Sequence, residues 1–455
     1  MTDLDAAGRA AQLVVDVPRS SMEQRGGPEP LTGGNDVLPG GRTALILLML
    51  VSMFNYVDRT ILSILQEPVK ADLGLSDTQL GLLTGLAFAL LYATLSLPIA
   101  RLADRFNRRN IITAALATWS GMTMLCGAAG SFLSLFIFRV GVAVGEAGSV
   151  PASHSIIADY FPPGRRATAL ATWGLALPAG LMFGYAAGGW IATALGWRLA
   201  FAVIGGAGLL LAPIFLWMVR EPQRRFGKVQ LPADAAETVP MREALGILWR
   251  LRTYRYMLAG ATLHAFAQYA LMNWTAPFYL RVHELSLAQV ASMLALVNGL
   301  GGGIGIYLGG WLSDRLGARR PAARVWLSAV AMLLMVPITL GQLLAGSITI
   351  SIALAFASTT LMFFYYGPIV AVPQSLVAPR MRALTSAVTL LVFNLFGLGL
   401  GPLVVGMLSD ELAPMLALPE TSLRYALAAS LLFSALGGLL VLAASRYYPA
   451  EMLEE

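Results

Sequence analysis

Two pairs of opposite charges stand inside apolar stretches of this 455-residue chain. Arg139 and Glu146 lie in Phe138-Arg139-Val140-Gly141-Val142-Ala143-Val144-Gly145-Glu146-Ala147-Gly148, within an apolar run from Leu133 to Ile157. Asp58 and Arg59 lie in Asn55-Tyr56-Val57-Asp58-Arg59. On a helix, seven residues return a side chain to within roughly 20° of the same bearing, about 10 Å further along, so Arg139 and Glu146 share one face. Asp58 and Arg59 are adjacent and point about 100° apart, so each must seek its partner on another helix. A charge at membrane depth costs at least a few kcal/mol unless it is paired or hydrated. The chemistry open to such a group is proton and anion binding. The four charges sum to zero and can be buried together if they interleave. Protonating one carboxylate leaves a net positive charge, and an anionic head group can then enter. Burial favours the neutral form of Glu146 and the nearby arginines favour its charged form. Those opposing terms make Glu146 the leading proton carrier. Asp58 is the rival, expected to stay ionised more often beside Arg59. The simplest alternative is a permanent ion-pair network that only fixes helix packing.

The elements that must position these residues are membrane helices. Hydrophobic residues make up 57% of the chain and charged residues 12%, and the mean hydropathy is +0.69. That balance belongs to a polytopic membrane protein. Windows of about 19 residues give twelve spans, centred near Phe54, Ala89, Ala117, Gly145, Ala179, Gly208, Tyr269, Gly299, Met332, Leu361, Leu395 and Phe433. Met1 to Gly41 is polar and rich in Gly and Pro, and is expected to form a disordered tail. It lacks the short apolar core of a cleaved signal. The longest connection, near Arg220 to Arg255, carries Pro222, Pro232, Pro240 and many charges. The expected organisation is a tail at 1–41, a six-helix bundle at 42–220, a linker at 221–255, a second bundle at 256–448 and a short tail at 449–455.

Orientation follows from the basic residues. Of the 31 Lys and Arg, only Lys70, Arg198, Arg281 and Arg424 fall opposite the termini, and Arg59 and Arg139 fall within spans. The rest lie on the terminal side, which predicts both termini in the cytoplasm of a cell (inner) membrane protein. The net charge of +6 does not point to nucleic acid, because its basic residues occupy short loops rather than one soluble face. Cys126 is the single cysteine, so no internal disulfide forms. His154, His264 and His283 are too scattered for a metal cage, and no nucleotide or zinc motif is present. No cofactor or metal is expected.

The two halves repeat. Ala100-Arg-Leu-Ala-Asp104-Arg105-Phe-Asn107-Arg108-Arg109 follows span 2, and Gly310-Trp-Leu-Ser-Asp314-Arg315-Leu-Gly317-Ala-Arg319-Arg320 follows span 8. Pro162-Pro163-Gly164-Arg165-Arg166-Ala167 opens span 5, and Pro379-Arg380-Met381-Arg382-Ala383 opens span 11. The two pairs are displaced by nearly the same length of chain, which argues for duplication of a six-span unit.

Twelve spans in two halves with this G-x-x-x-D-R-x-G-type loop resemble the major facilitator superfamily. The second loop fits the pattern, while the first carries Ala100 and Asn107 in place of glycines. Asn55-Tyr56-Val57-Asp58-Arg59, Arg139 with Gly145-Glu146-Ala147, and Asp159-Tyr160-Phe161-Pro162 are similar to the Spinster family within it. The short loops resemble those of a bacterial member. The resemblance implies an all-α membrane fold of two pseudo-symmetric six-helix bundles and secondary active transport rather than enzymatic catalysis. Eukaryotic members of that family export sphingosine-1-phosphate or move lysophospholipids, with proton coupling proposed. It implies proton-coupling roles for Glu146 and Asp58. It implies substrate contacts for Arg59, Arg139 and Tyr185, the last similar to a cavity tyrosine of the family.

The resemblance also implies a gate. Asp104 and Asp314 would lie near the N-terminus of a facing helix and be stabilised by its dipole, while Arg105, Arg108 and Arg315 would pair with acids such as Asp159 and latch the terminal side shut. The alternative for these residues is turn chemistry with anchoring arginines. In the second half the polar candidates are Gln268, Asn273, Asn298 and Asn394, each of which could equally be an interhelical hydrogen bond. Phe363-Phe364-Tyr365-Tyr366 could line an apolar channel or face lipid. A charged first half and an apolar second half suit an amphipathic lipid-like substrate. The partners expected are that substrate, protons and membrane lipids, with the protein a monomer. A proton-coupled exporter of drugs or small organic anions is the second reading.

Overall fold

The computed structural model describes residues 37–223, 241–378 and 381–453. The tail before Val37, most of the central linker, and Pro379 and Arg380 of the second basic loop lie outside the described residues, as does the side chain of Asp104. No strand occurs among the described residues. Among the described residues twelve helical rods follow one another, with short connections except between the sixth and seventh, and each carries one of the twelve hydropathy centres. In lipid the backbone must satisfy its own hydrogen bonds, which leaves helices as the only solution for such segments.

Six rods form the first bundle. Span 1 is Gly41–Leu73. Span 2 is Asp77–Thr84 followed by Leu86–Arg105. Span 3 is Arg108–Cys126. Span 4 is Phe132–Glu146 followed by Ser149–Tyr160. Span 5 is Pro163–Gly174 followed by Ala176–Leu195, and span 6 is Trp197–Met218. The second bundle repeats the plan. Span 7 is Arg252–Val282. Span 8 runs from Leu287–Leu296 through a π-turn at Val297–Gly301 to Gly302–Gly317. Spans 9, 10 and 12 are Ala323–Leu344, Ile348–Phe364 with Tyr366–Ser375, and Ser422–Ala444. Span 11 runs from Arg382–Val392 through a π-turn at Phe393–Leu398 to Gly399–Leu412.

Nine of these rods are long and apolar enough to cross a membrane on composition alone. Spans 2, 3 and 7 complete the twelve. Span 3 opens on Arg108-Arg109-Asn110, and span 7 carries Arg252, Arg255, His264, Gln268, Asn273 and Arg281, so polar residues lower their hydropathy. The linker is also not wholly irregular, because Met241–Arg250 forms a helix before span 7.

Span 1 packs on span 5, span 3 on spans 4 and 6, span 7 on span 12, and span 9 on spans 10 and 12. The bundles meet where span 2 lies against span 11 and span 5 against span 8. Adding six to 2 and subtracting six from 11 exchanges these two seams, so the packing carries the duplication seen in the loops. Close backbone approach makes the seams. A Cβ on Gly81 of span 2 would stand 2.5 Å from the Pro402 carbonyl oxygen of span 11.

The hydrogen bonds between bundles lie toward the end away from the termini. Arg281 of span 7 donates to Glu67 of span 1 at 2.6 and 2.9 Å and to Asp77 of span 2 at 2.6 and 2.7 Å. Lys70 reaches Asp77 at 2.5 Å, and Ser409 of span 11 donates to it at 2.7 Å. Asp410 of span 11 accepts from the Asp77 and Thr78 amides at 3.0 and 2.7 Å, and from the Thr78 hydroxyl. Deeper in, Ser63 donates to Asn273 at 2.9 Å and Tyr185 to the Met272 carbonyl at 2.7 Å.

Candidate functional site

The charged quartet assembles in the first bundle. Span 4 is interrupted directly after Glu146, which is the last residue of its first helix. A helix C-terminus carries partial negative charge, so a carboxylate there is poorly placed unless a cation answers it. Arg59 of span 1 is that cation. Its Nε donates to Glu146 Oε2 at 2.8 Å. Gly145, one residue earlier, allows span 3 close, since a Cβ there would stand 2.7 Å from the Trp119 nitrogen.

Aromatic rings of span 2 hold the other side of Arg59. Its guanidinium lies 4.8 Å from the ring centres of both Phe88 and Tyr92, and those rings stack on each other at 5.7 Å. Arg139 also lies over Phe88, at 5.7 Å, and its Nη1 donates to the Asp58 carbonyl at 3.2 Å. Arg139 therefore braces the backbone of span 1. The Asp58 side chain is 1% exposed, and neither of its carboxylate oxygens has a hydrogen-bond partner. Nearby Trp119 Nε1 and Thr123 Oγ1 are also without partners.

Exposure separates the four. Asp58, Arg139 and Glu146 are sealed, whereas the Arg59 side chain keeps 23% of its surface. The sequence reading expected Arg139 and Glu146 on span 4 to answer both residues of span 1. The side chains make one pair, Arg59 with Glu146, and Asp58 is left with none.

A family model described as Major Facilitator Superfamily matches residues 48–402. The chain belongs to the major facilitator superfamily. A crystal structure titled as a bacterial homolog to the human lysosomal transporter Spinster, inward-facing and unoccupied, is 31% identical, with a TM-score of 0.83 over 92% of this chain and 100% of that one. An MFS-type efflux pump from Mycolicibacterium smegmatis is 36% identical over 81% of this chain and 84% of its own length. Protein spinster homolog 1 from Homo sapiens is 26% identical over 91% of this chain and 83% of its own. The chain is thus a major facilitator transporter of the Spinster type, not an enzyme, built as a multi-pass membrane protein.

The remaining site residues of this transporter are scattered. Tyr185 is 1% exposed and donates across the bundles to Met272. It lines a separate small cavity of about 20 Å³ with Met272, Thr275, Asn298, Gln342 and Ser358. Arg108 and Asp159 do pair, at 2.5 Å, but within one bundle, where Arg108 also holds Glu221 at 2.7 Å and Ser155. The pair therefore ties spans 3, 4 and the end of span 6 rather than one bundle to the other. Arg105, Asp314 and Arg315 are exposed, and Arg315 lies over Trp311. Asp104 ends span 2 with its side chain outside the described residues.

The four polar residues of the second bundle are hydrogen-bonded. Gln268 accepts from Tyr365, Asn273 from Ser63, and Asn298 and Asn394 donate to carbonyls one turn back inside the two π-turns. Of the aromatic run, Phe363 and Tyr365 are buried and Tyr366 is exposed. The ion network of Glu67, Lys70, Asp77, Arg281 and Asp410 was not picked out as a site from the sequence. Its signal was present: two of the few basic residues opposite the termini, Lys70 and Arg281, meet acids there.

Proposed function

We propose that this protein is a secondary transporter working by alternating access, carrying an amphipathic lipid-like anion or zwitterion and coupled to protons. The observation that carries the reading is that Arg59 alone of the buried quartet presents surface to open space, so the cluster offers one cation to a head group. The apolar second bundle would take the hydrocarbon tail.

Proton coupling follows from the uneven pairing. Glu146 pairs with Arg59, and the Asp58 carboxylate makes no ion pair. A head group that engages Arg59 competes with Glu146, which then takes up a proton. Substrate and proton are thereby linked through one guanidinium. In this reading the terminal side is the cytoplasm of a cell inner membrane, and the bonds of Arg281 to Glu67 and Asp77 close the opposite side. In the alternate state Asp104, Arg105, Asp314 and Arg315 at the ends of spans 2 and 8 close the cytoplasmic side, with Arg108 and Asp159 stiffening one jaw. A monomer suffices for this cycle.

The test is flux of a lysophospholipid into proteoliposomes with and without an imposed pH gradient. Acceleration by the gradient supports the reading, and no flux of any lysolipid sinks the substrate class. The likeness to an efflux pump supports a second reading, a proton-coupled exporter of drugs or small organic anions. Competition between a cationic dye and the lysolipid for one transport route separates the two.

A further inference from the structure

The duplicated halves differ at their terminal ends in how they answer an arginine. In the first bundle Arg108 opens span 3 and is 2% exposed. Asp159, seven residues before Arg166, and Glu221, shortly after span 6, both bind it. In the second bundle Arg324 stands in the first turn of span 9. Seven residues before Arg382 the chain carries Ser375 instead of an acid, and shortly after span 12 it carries Tyr448. Ser375 and Tyr448 hydrogen-bond each other at 3.0 Å. Glu451, the next acid along, is used by the amides of Arg252 and Thr253.

Arg324 consequently forms no ion pair among the described residues, and its Nε is buried without a hydrogen-bond partner. Its side chain crosses Gly317 closely, so that a Cβ there would meet Arg324 Cγ at 2.5 Å. The guanidinium is therefore placed by packing. It lines a cavity of about 450 Å³ together with Arg382, Asp314, Gln374, Ser375 and Tyr448. Arg324 is the guanidinium there that makes no ion pair, and Asp314 makes none either among the described residues. None of these residues belongs to the Arg59 quartet.

We propose that this cavity is an oxyanion site that takes a phosphoryl group, separate from the transport site. Arginine forks match phosphate oxygens in a bidentate way. Basic pockets between membrane helices are suited to phospholipid head groups, and the volume admits a phosphate with its glycerol. The shared chemistry is the phosphoryl group, whether it comes from an anionic lipid or from free phosphate.

The test uses the full-length protein, purified and stripped of lipid, with phosphatidylglycerol, phosphatidylcholine and inorganic phosphate as probes. Adducts are counted by native mass spectrometry and protection is read by thermal unfolding. Two variants are compared with the parent, Arg324→Gln and Ser375→Asp. The second installs the acid that the first bundle has at Asp159, so it should fold and rise in Tm without any anion. Retention of phosphatidylglycerol should fall about tenfold or more in both variants, the loss of one charge-assisted hydrogen bond set, while phosphatidylcholine is unaffected. Protection by inorganic phosphate alone, lost in both variants, would identify free phosphate as the source. Equal retention and equal protection in the parent and both variants overturn the proposal, as does protection matched by the same ionic strength of chloride.

Discussion

Arg59 holds Glu146 at 2.8 Å, and the carboxylate of Asp58, its neighbour in the chain, makes no ion pair. Adjacent residues on one helix point different ways, and here that divergence separates a paired acid from an unpaired one. The two acids should then respond differently to amide substitution. Glu146→Gln leaves Arg59 without its partner and should lower stability by about 2 kcal/mol. Asp58→Asn breaks no ion pair and should stay within about 0.5 kcal/mol of the parent. Thermal unfolding of the purified proteins decides it. The reverse ranking would mean that Asp58, not Glu146, makes the ion pair that matters for stability.

The arginines should also separate. Arg59→Ala should weaken binding of an anionic lysolipid by about 2 kcal/mol, with a neutral-headed analogue little changed. Arg139→Ala removes a brace on the span 1 backbone, so it should lower stability and weaken both ligands alike. Equilibrium binding of the two lysolipids to each variant makes the comparison. A head-group preference lost in Arg139→Ala would place that residue in the binding site.

The ion network around Asp77 fastens one end of the molecule. Arg281→Gln removes its bonds to both Glu67 and Asp77 and should open that end. A cysteine placed at Ser63, in a protein lacking Cys126, should then react about tenfold faster with a membrane-impermeant reagent from the side opposite the termini. Unchanged reactivity would show that the apolar seam alone keeps this end shut.

The seam can be tested without touching a charge. Gly81→Ala puts a methyl group where the Pro402 carbonyl oxygen stands at 2.5 Å, and backbone atoms there cannot swing aside. The same Ser63 cysteine should become more reactive. Gly206→Ala, which meets nothing within 4 Å, should leave it unchanged.

Much of this fold is legible in the sequence. Phe54, Gly145 and Phe433 fall near the middles of spans 1, 4 and 12 because apolar length and basic loops act locally. The quartet was legible as a set for the same reason: charges are conspicuous in lipid. Its pairing was not, because whether Arg59 turns to Glu146 or Arg139 turns to Asp58 depends on helix rotation and on the break after Glu146. Arg108 and Asp159 illustrate the same limit. Their types suggested a pair, but only the packing of spans 3, 4 and 6 shows that the pair lies within one bundle. The network of Asp77 with Arg281 and Asp410 joins residues hundreds of positions apart, and no local pattern announces it.

Span 2 begins at Ser76, whose hydroxyl accepts from the Gln79 amide while the Gln79 side chain accepts from the Ser76 amide. The Leu80 amide reaches the Ser76 carbonyl. That leaves the amides of Asp77 and Thr78, and both go to Asp410. The first turn of a helix in one bundle is thus capped by a carboxylate from the other, 333 residues along the chain. A cap of this kind is worth on the order of 1 kcal/mol. Parting the bundles strips it away and hands both amides to water. Hydrogen exchange at the Asp77 and Thr78 amides should therefore report each opening of that end.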